Sequence, residues 1–245
     1  MISLSQKFVD GCRVENGFRL RGEEMTRIEV FVDAAFAFAV TLLVISIDKI
    51  PTSVPQLFEV SKEIPAFILS VAQLLWIWYT HSIWSKRFGL EDIQTIVISA
   101  ALLIIVLIYI YPIKMLFGGF FDWITGGYLP GDMKLQSYDE LRHLFMYFAV
   151  GFFAIVMTFA WMYYHVLRLK DALKLNAEEI YLCQTHIYLY LSVAVVTVVA
   201  FFTPLFLPDE RVPFAGFAYA LINILPPLVK RHRRRQWQAI IQSKN

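Results

Sequence analysis

Two stretches of this chain, Ile64–Ser85 and Ile93–Ile113, run their whole length without an Asp, Glu, Lys or Arg. Crossing the hydrocarbon core of a bilayer takes about 20 helical residues, so each is long enough to span it. Four further apolar stretches accompany them, at Arg27–Ile47, Leu144–Leu167, Ile180–Leu207 and Val212–Val229. The chain is 58% hydrophobic and 17% charged, with a mean hydropathy of +0.57, well above an ordinary soluble domain. The fold class is therefore all-α: a polytopic membrane protein with six transmembrane helices.

Six spans put both termini on one side, and the loop lysines and arginines say which. Of the 22 basic residues, the termini side collects 16: Lys7, Arg13, Arg19, Arg21, Arg27, Lys86, Arg87, Arg168, Lys170, Lys174, Lys230, Arg231, Arg233, Arg234, Arg235 and Lys244. Lys49, Lys62, Lys114, Lys134, Arg142 and Arg211 fall on the other. Both termini are expected to be cytoplasmic, with the protein in the cell membrane. Residues Met1–Met25 are polar and lack the apolar core of a removable signal, so the first span is expected to act as its own insertion signal. The division expected is a cytoplasmic N-terminal segment at 1–25, a six-helix domain at 26–230 and a basic cytoplasmic tail at 231–245. The cluster Lys230–Arg235 directly abuts Val229, which favours a stop-transfer anchor over an anionic-lipid or nucleic-acid site. No nucleic-acid partner is expected.

Local signals agree with this map. Thr26-x-x-Glu29 and Ser137-x-x-Glu140 have capping-box spacing ahead of the first and fourth spans. Pro204 and Pro208 mark the outer end of the fifth span, and Pro213 the start of the sixth. Phe117–Tyr138, with five glycines and the aromatics Phe120, Phe121, Trp123 and Tyr128 inside it, reads as an interfacial loop on the outer side. Cys12 and Cys183 lie far apart, one in the polar N-terminal segment and one in the fifth span, and suggest neither a disulfide framework nor a zinc site.

The first span carries the functional signal. Steps of four and three residues from Arg27 give one stripe: Arg27, Phe31, Ala34, Phe38, Thr41, Ile45 and Asp48. Ala35-x-x-x-Ala39 beside it is a small-residue step that permits close helix approach. Arg27, Glu29 and Asp33 lie in its first two turns, where each charge at membrane depth costs about 2.5–3.5 kcal/mol on insertion scales and so requires a partner or a wet cavity. A packed core helix explains the periodicity alone. The hydroxyl of Thr41 midway along an apolar stripe, repeated around a symmetry axis, makes a minimal ion pore instead.

The segment Arg27-Ile-Glu-Val-Phe31-Val-Asp33-Ala, followed by Phe36-Ala-Phe38-Ala-Val-Thr41-Leu-Leu-Val, resembles the first helix of the transmembrane protein 175 family of endolysosomal potassium channels and their bacterial homologues. Trp78-x-x-His81 near the end of the second span is similar to the family as well. The resemblance implies a single-repeat, bacterial-type homotetramer embedded in the lipid bilayer, without a selectivity-filter loop, with permeant potassium ions and no bound cofactor. It implies a pore lined by the first helix at Ala34, Phe38, Thr41 and Ile45, constricted at Phe38, with Thr41 contributing to potassium preference. It further implies a structural network of Arg27, Phe31, Asp33, Trp78 and His81. Two positions depart from the family pattern: Val32 stands where the family has serine, and Phe38 where it has leucine or isoleucine.

Other readings are weaker. His81, His143, His165 and His186 sit near span ends, and no pair has the spacing that places two metal ligands on one helical face. Of these, only His81 is a candidate to touch function, and a packed structural hydrogen bond is its favoured role. A secondary transporter would show paired glycine or proline interruptions between halves, and none is evident. A tetrameric membrane protein with a closed, vestigial pore is compatible with Phe38.

Overall fold

The computed structural model describes residues 4–45, 50–129, 131 and 137–242, without the side chains of 240 and 241. Ile47 at the end of the first expected span, Asp48 at the end of its stripe, Lys49, Lys134, Lys244 and part of the loop before Tyr138 lie outside the described residues. Eight α-helices are described: α1 Gln6–Gly11, α2 Arg27–Ile45, α3 Val54–Ser61, α4 Ile64–Phe88, α5 Ile93–Thr125, α6 Tyr138–Arg168, α7 Ala177–Phe206 and α8 Leu225–Gln242. A 3-10 helix over Asp209–Asn223 joins α7 to α8. Six helical stretches are long and apolar enough to cross a membrane: α2, α4, α5, α6, α7 and the continuous run Asp209–Ala239.

The caps follow the chemistry of their residues. The Oγ atoms of Thr26 and Ser137 accept from the backbone N–H of Glu29 (3.1 Å) and Glu140 (3.3 Å), opening α2 and α6. Asn176 and Glu179 form a reciprocal capping box at the start of α7. Gly89 closes α4 in the left-handed region at φ 56°. Helix α6 is the hub, burying large side chains such as Phe152, Phe159 and Tyr163 against α5 and α7.

Two spans differ from the sequence reading. Helix α5 does not stop at Ile113 but runs through Gly118 and Gly119 to Thr125, so the expected outer loop begins as helix. Each helical glycine costs about 1 kcal/mol relative to alanine, but tertiary packing overrides this. A Cβ on Gly131 would lie 2.8 Å from the Gly118 carbonyl carbon, so the returning chain crosses α5 where side chains are missing. Trp123 then packs edge-on against Phe214, 5.2 Å between centroids. Helix α7 ends at Phe206, between Pro204 and Pro208 as expected, and Arg142 caps its end by donating to the carbonyls of Pro204 (3.1 Å) and Leu207 (3.0 Å).

The sixth span is the second difference, because it is mostly 3-10 rather than α-helical. As an α-helix the apolar run Val212–Val229 would reach only about 27 Å, short of a core about 30 Å thick. With Val212–Asn223 rising about 2.0 Å per residue, the same run reaches about 33 Å. A single helix, α8, then carries both Leu225–Val229 and the basic residues Lys230–Arg235.

The N-terminal segment is folded rather than trailing. Asn16 and Gly17, at φ 51° and 80°, make the two-residue turn of a hairpin between β1 (Val14–Glu15) and β2 (Phe18–Arg19). The segment then lies over the end of α4: the N–H groups of Arg21 and Gly22 donate to the carbonyls of Arg87 and Lys86. A Cβ on Gly22 would come within 2.8 Å of the Gly89 Cα, so this crossing requires a residue without one. Arg21 reaches on to Glu179 at the start of α7, and Arg233 of α8 reaches Gln184 and Thr185 on the same helix. Both chain ends therefore meet the same side of the bundle.

Candidate functional site

Helix α2 has two unlike faces. Glu29, Val32, Phe36, Ala39 and Leu43 are buried, spaced three or four residues apart, and face α4 and α5. The opposite stripe of Arg27, Phe31, Ala34, Phe38, Thr41 and Ile45 is exposed throughout. Phe31, Phe38 and Ile45 are 66%, 57% and 72% exposed, against 0% for Val32. Every described residue of the stripe read from the sequence thus shares one uncovered face. Ala35 and Ala39 sit toward the packed side, where their small side chains let α2 approach its neighbours.

Thr41 donates its hydroxyl proton to the Phe38 carbonyl on its own helix, at 2.7 Å. A hydroxyl carries one proton and two lone pairs. With the proton committed to the backbone, the oxygen faces outward as an acceptor, the polarity a cation requires. From Ala34 to Ile45 no other side chain on α2 can coordinate an ion.

At the charged end of α2 the expected network is divided. Asp33 accepts a 2.7 Å hydrogen bond from Trp78 Nε1 on α4, so the carboxylate is held by a neighbouring helix. His81, one turn further along α4 and buried, is hydrogen-bonded to Ser99 Oγ on α5 at 3.1 Å. Arg27 forms no ion pair among the described residues and points away with Phe31 on the exposed face. The structure therefore joins Asp33 to Trp78, and His81 to Ser99, but brings Arg27 to neither pair. Glu29 is buried beneath the same end.

A second polar assembly at this end was not legible in the sequence. Arg21 and Glu179 form a buried two-pronged ion pair at 2.7 and 2.9 Å, and Arg21 Nε also donates to the Leu173 carbonyl. Arg87 lies 4.2 Å over the Phe18 ring and donates to Tyr163 Oη and His186 Nε2, while His186 stacks on Tyr163 with 4.5 Å between centroids. Asp92 caps α5 through Thr95 and pairs with His165 at 2.8 Å. Burial pushes the Asp92 carboxyl up, but the bonds from Thr95 and the adjacent His165 outweigh that and hold it below the ordinary aspartate value. The Asn16-Gly17 dipeptide was the available signal for this folded collar. The ion pairs gave none, since Arg21 and Glu179 are 158 residues apart.

Comparisons with known proteins identify the family of this chain. Residues 27–112, from α2 into α5, match the family described as the endosomal/lysosomal potassium channel TMEM175. A potassium channel from Marivirga tractuosa is 36% identical over 174 residues, covering 67% of this chain and 68% of that protein. The chain belongs to the TMEM175 family. A crystal structure of the potassium channel MtTMEM175, a threonine-to-alanine variant in complex with a nanobody–MBP fusion, matches with a TM-score of 0.78 at 31% identity. The match covers 91% of this chain and 99% of that one. This TMEM175 member is thus a multi-pass membrane protein of an ion-channel family, not an enzyme.

Proposed function

We propose that this TMEM175 member is the subunit of a homotetrameric, potassium-permeable channel of the cell membrane, with both termini cytoplasmic. Four copies of α2 surround the axis with the stripe Ala34, Phe38, Thr41 and Ile45 turned inward. The observation that carries this reading is the exposed face of α2: an apolar stripe left uncovered by its own subunit, interrupted by one hydroxyl oxygen oriented as an acceptor. The chain contains no Thr-Val-Gly-Tyr-Gly segment, so no carbonyl-lined filter loop supplies selectivity. Residues 26–230 form the conducting domain, with 1–25 and 231–245 on the cytoplasmic side.

In this arrangement four Phe38 rings make the constriction. An apolar ring offers nothing to replace an ion's water shell and gates by dewetting. Thr41, one turn away, supplies hydroxyl oxygens that partly substitute for that water, and its layer sets the preference for potassium. Asp33 and Trp78 hold α2 against α4 so that the stripe faces the axis, with Phe31 and Arg27 toward the cytoplasmic mouth and His81 packed behind them.

Purified protein in liposomes, assayed for potassium flux and for the ratio of potassium to sodium flux, tests this directly. The proposal expects flux in the wild type and a larger, less selective flux in Phe38→Ala. Silence in both, with an intact tetramer, favours a vestigial pore. Ion-driven uptake of an organic solute favours a transporter. A dimer or trimer by native mass spectrometry overturns the assembly.

A further inference from the structure

The pore reading leaves the basic helix α8 unexplained, and its geometry goes beyond a simple anchor. Among the basic residues of Lys230–Arg235, one is turned inward. Arg233 lies over the rings of Tyr181 (4.8 Å) and Tyr188 (5.0 Å) and donates to Gln184 and Thr185. Trp237, one turn on, stacks on Tyr181 with 4.5 Å between centroids and a 17° tilt. These contacts fix the rotation of α8 against α7. At about 100° per residue, Arg231, Arg234 and Arg235 then share an arc of about 100° turned from α7, with Lys230 at its edge beside Trp237, and all four are exposed.

No acidic residue occurs anywhere in α8, and none of these four cations forms an ion pair among the described residues. They follow immediately on the apolar run ending at Val229. Tyr181, Tyr188 and Trp237, residue types that collect at membrane–water interfaces, flank them. A stop-transfer signal depends on the number of charges near the end of a span and not on which way they face. Here the cations are presented on one side, just beyond the apolar run, by a helix locked in rotation, and form no ion pair among the described residues.

We infer that the face of α8 formed by Lys230, Arg231, Arg234 and Arg235 is a docking surface for acidic phospholipid headgroups of the leaflet in which the last span ends. Each guanidinium presents a planar fork of donors matched to phosphate oxygens, and Lys230 adds a point charge. Because α8 packs on α7, a bound lipid bears on the lipid-facing rim of the bundle rather than on α2. The inference does not depend on conduction.

The test uses the full chain in nanodiscs of equimolar phosphatidylglycerol and phosphatidylcholine, with retained lipids counted by native mass spectrometry. One cation near an acidic surface is worth about fivefold, so retained phosphatidylglycerol should exceed phosphatidylcholine about tenfold or more in the wild type. That excess should fall with rising salt. It should collapse in the combined variant Lys230→Gln, Arg231→Gln, Arg234→Gln and Arg235→Gln. Equal retention of the two lipids by the wild type overturns the inference without any variant, so failure of the variant to insert does not leave it open. An unchanged excess in the variant overturns it as well, as does displacement of phosphatidylglycerol by inorganic phosphate or by an oligonucleotide.

Discussion

Helices α2 and α6 are both apolar enough to cross a membrane, yet they stand in opposite relation to their own subunit. Half of the most apolar window of α6 is buried inside the bundle, against 28% for α2. Helix α6 packs on both sides, so its side chains answer to the stability of one chain. Helix α2 packs by a single stripe and leaves the other uncovered. Burial within the subunit therefore separates residues that hold the fold from residues available to a partner copy, a lipid or an ion. Hydropathy does not separate them, because Phe36 and Phe38 are the same residue type two positions apart on opposite faces.

The largest effect should come from the collar, where the subunit is most tightly held. Glu179→Gln leaves the Arg21 guanidinium uncompensated in a site from which both side chains are almost wholly excluded from water. Breaking such a buried pair costs about 3–5 kcal/mol, read as a drop in thermal unfolding temperature in detergent. Combining it with Arg21→Met should recover part of the loss, and no recovery would mean that the pair does not act as a unit.

Nearly as large is the contrast between two phenylalanines. Phe159→Ala in α6 empties a fully buried site and should cost about 3–5 kcal/mol. Phe38→Ala on the uncovered face should change subunit stability by about 0.5 kcal/mol or less while raising cation flux. Equal destabilisation by both, with flux unchanged, would break the distinction between the two helices.

A smaller effect falls where α2 meets α4. Trp78→Phe deletes the donor to Asp33 and should cost about 1–3 kcal/mol as that carboxylate loses its partner. Tetramer survival across a detergent series should decrease in parallel, and Asp33→Ala should weaken assembly more than it alters ion preference. Thr41→Val should leave stability and assembly nearly unchanged and lower the preference for potassium over sodium.

The smallest effect is pH-dependent. The folded Asp92 carboxyl lies below its ordinary value of 3.8. Its contribution is therefore present above that value and lost as pH falls through the lower folded one. Asp92→Asn should be less stable than wild type at neutral pH, and the two should converge in acid below pH 3.8. A difference that persists unchanged into strong acid would assign the stabilisation to hydrogen bonding alone.

Much of this protein is local information, and that part was readable in the sequence. The membrane class, the six spans, the caps at Thr26 and Ser137 and the stripe on α2 all depend on residue type and on spacings of a few positions, which helical geometry converts directly into faces. The placement of Phe38 and Thr41 on one face follows from the 3.6-residue period alone. What faces what did not follow, because the sequence does not say which helix covers which. The six-residue spacing of Arg27 and Asp33 already puts them on different faces and sends Asp33 to a neighbouring helix, but that its partner is Trp78, 45 residues on, was not in the sequence. The extension of α5 through two glycines and the stretched 3-10 span both contradict local propensity. They exist because packing, as at the Gly118–Gly131 crossing and between Trp123 and Phe214, outweighs preferences of about 1 kcal/mol per residue. The collar of Arg21, Glu179, Arg87 and His186 joins residues separated by up to 158 positions. Only the tertiary structure could decide it, because closing loops of that length is favourable only when the whole buried assembly forms together.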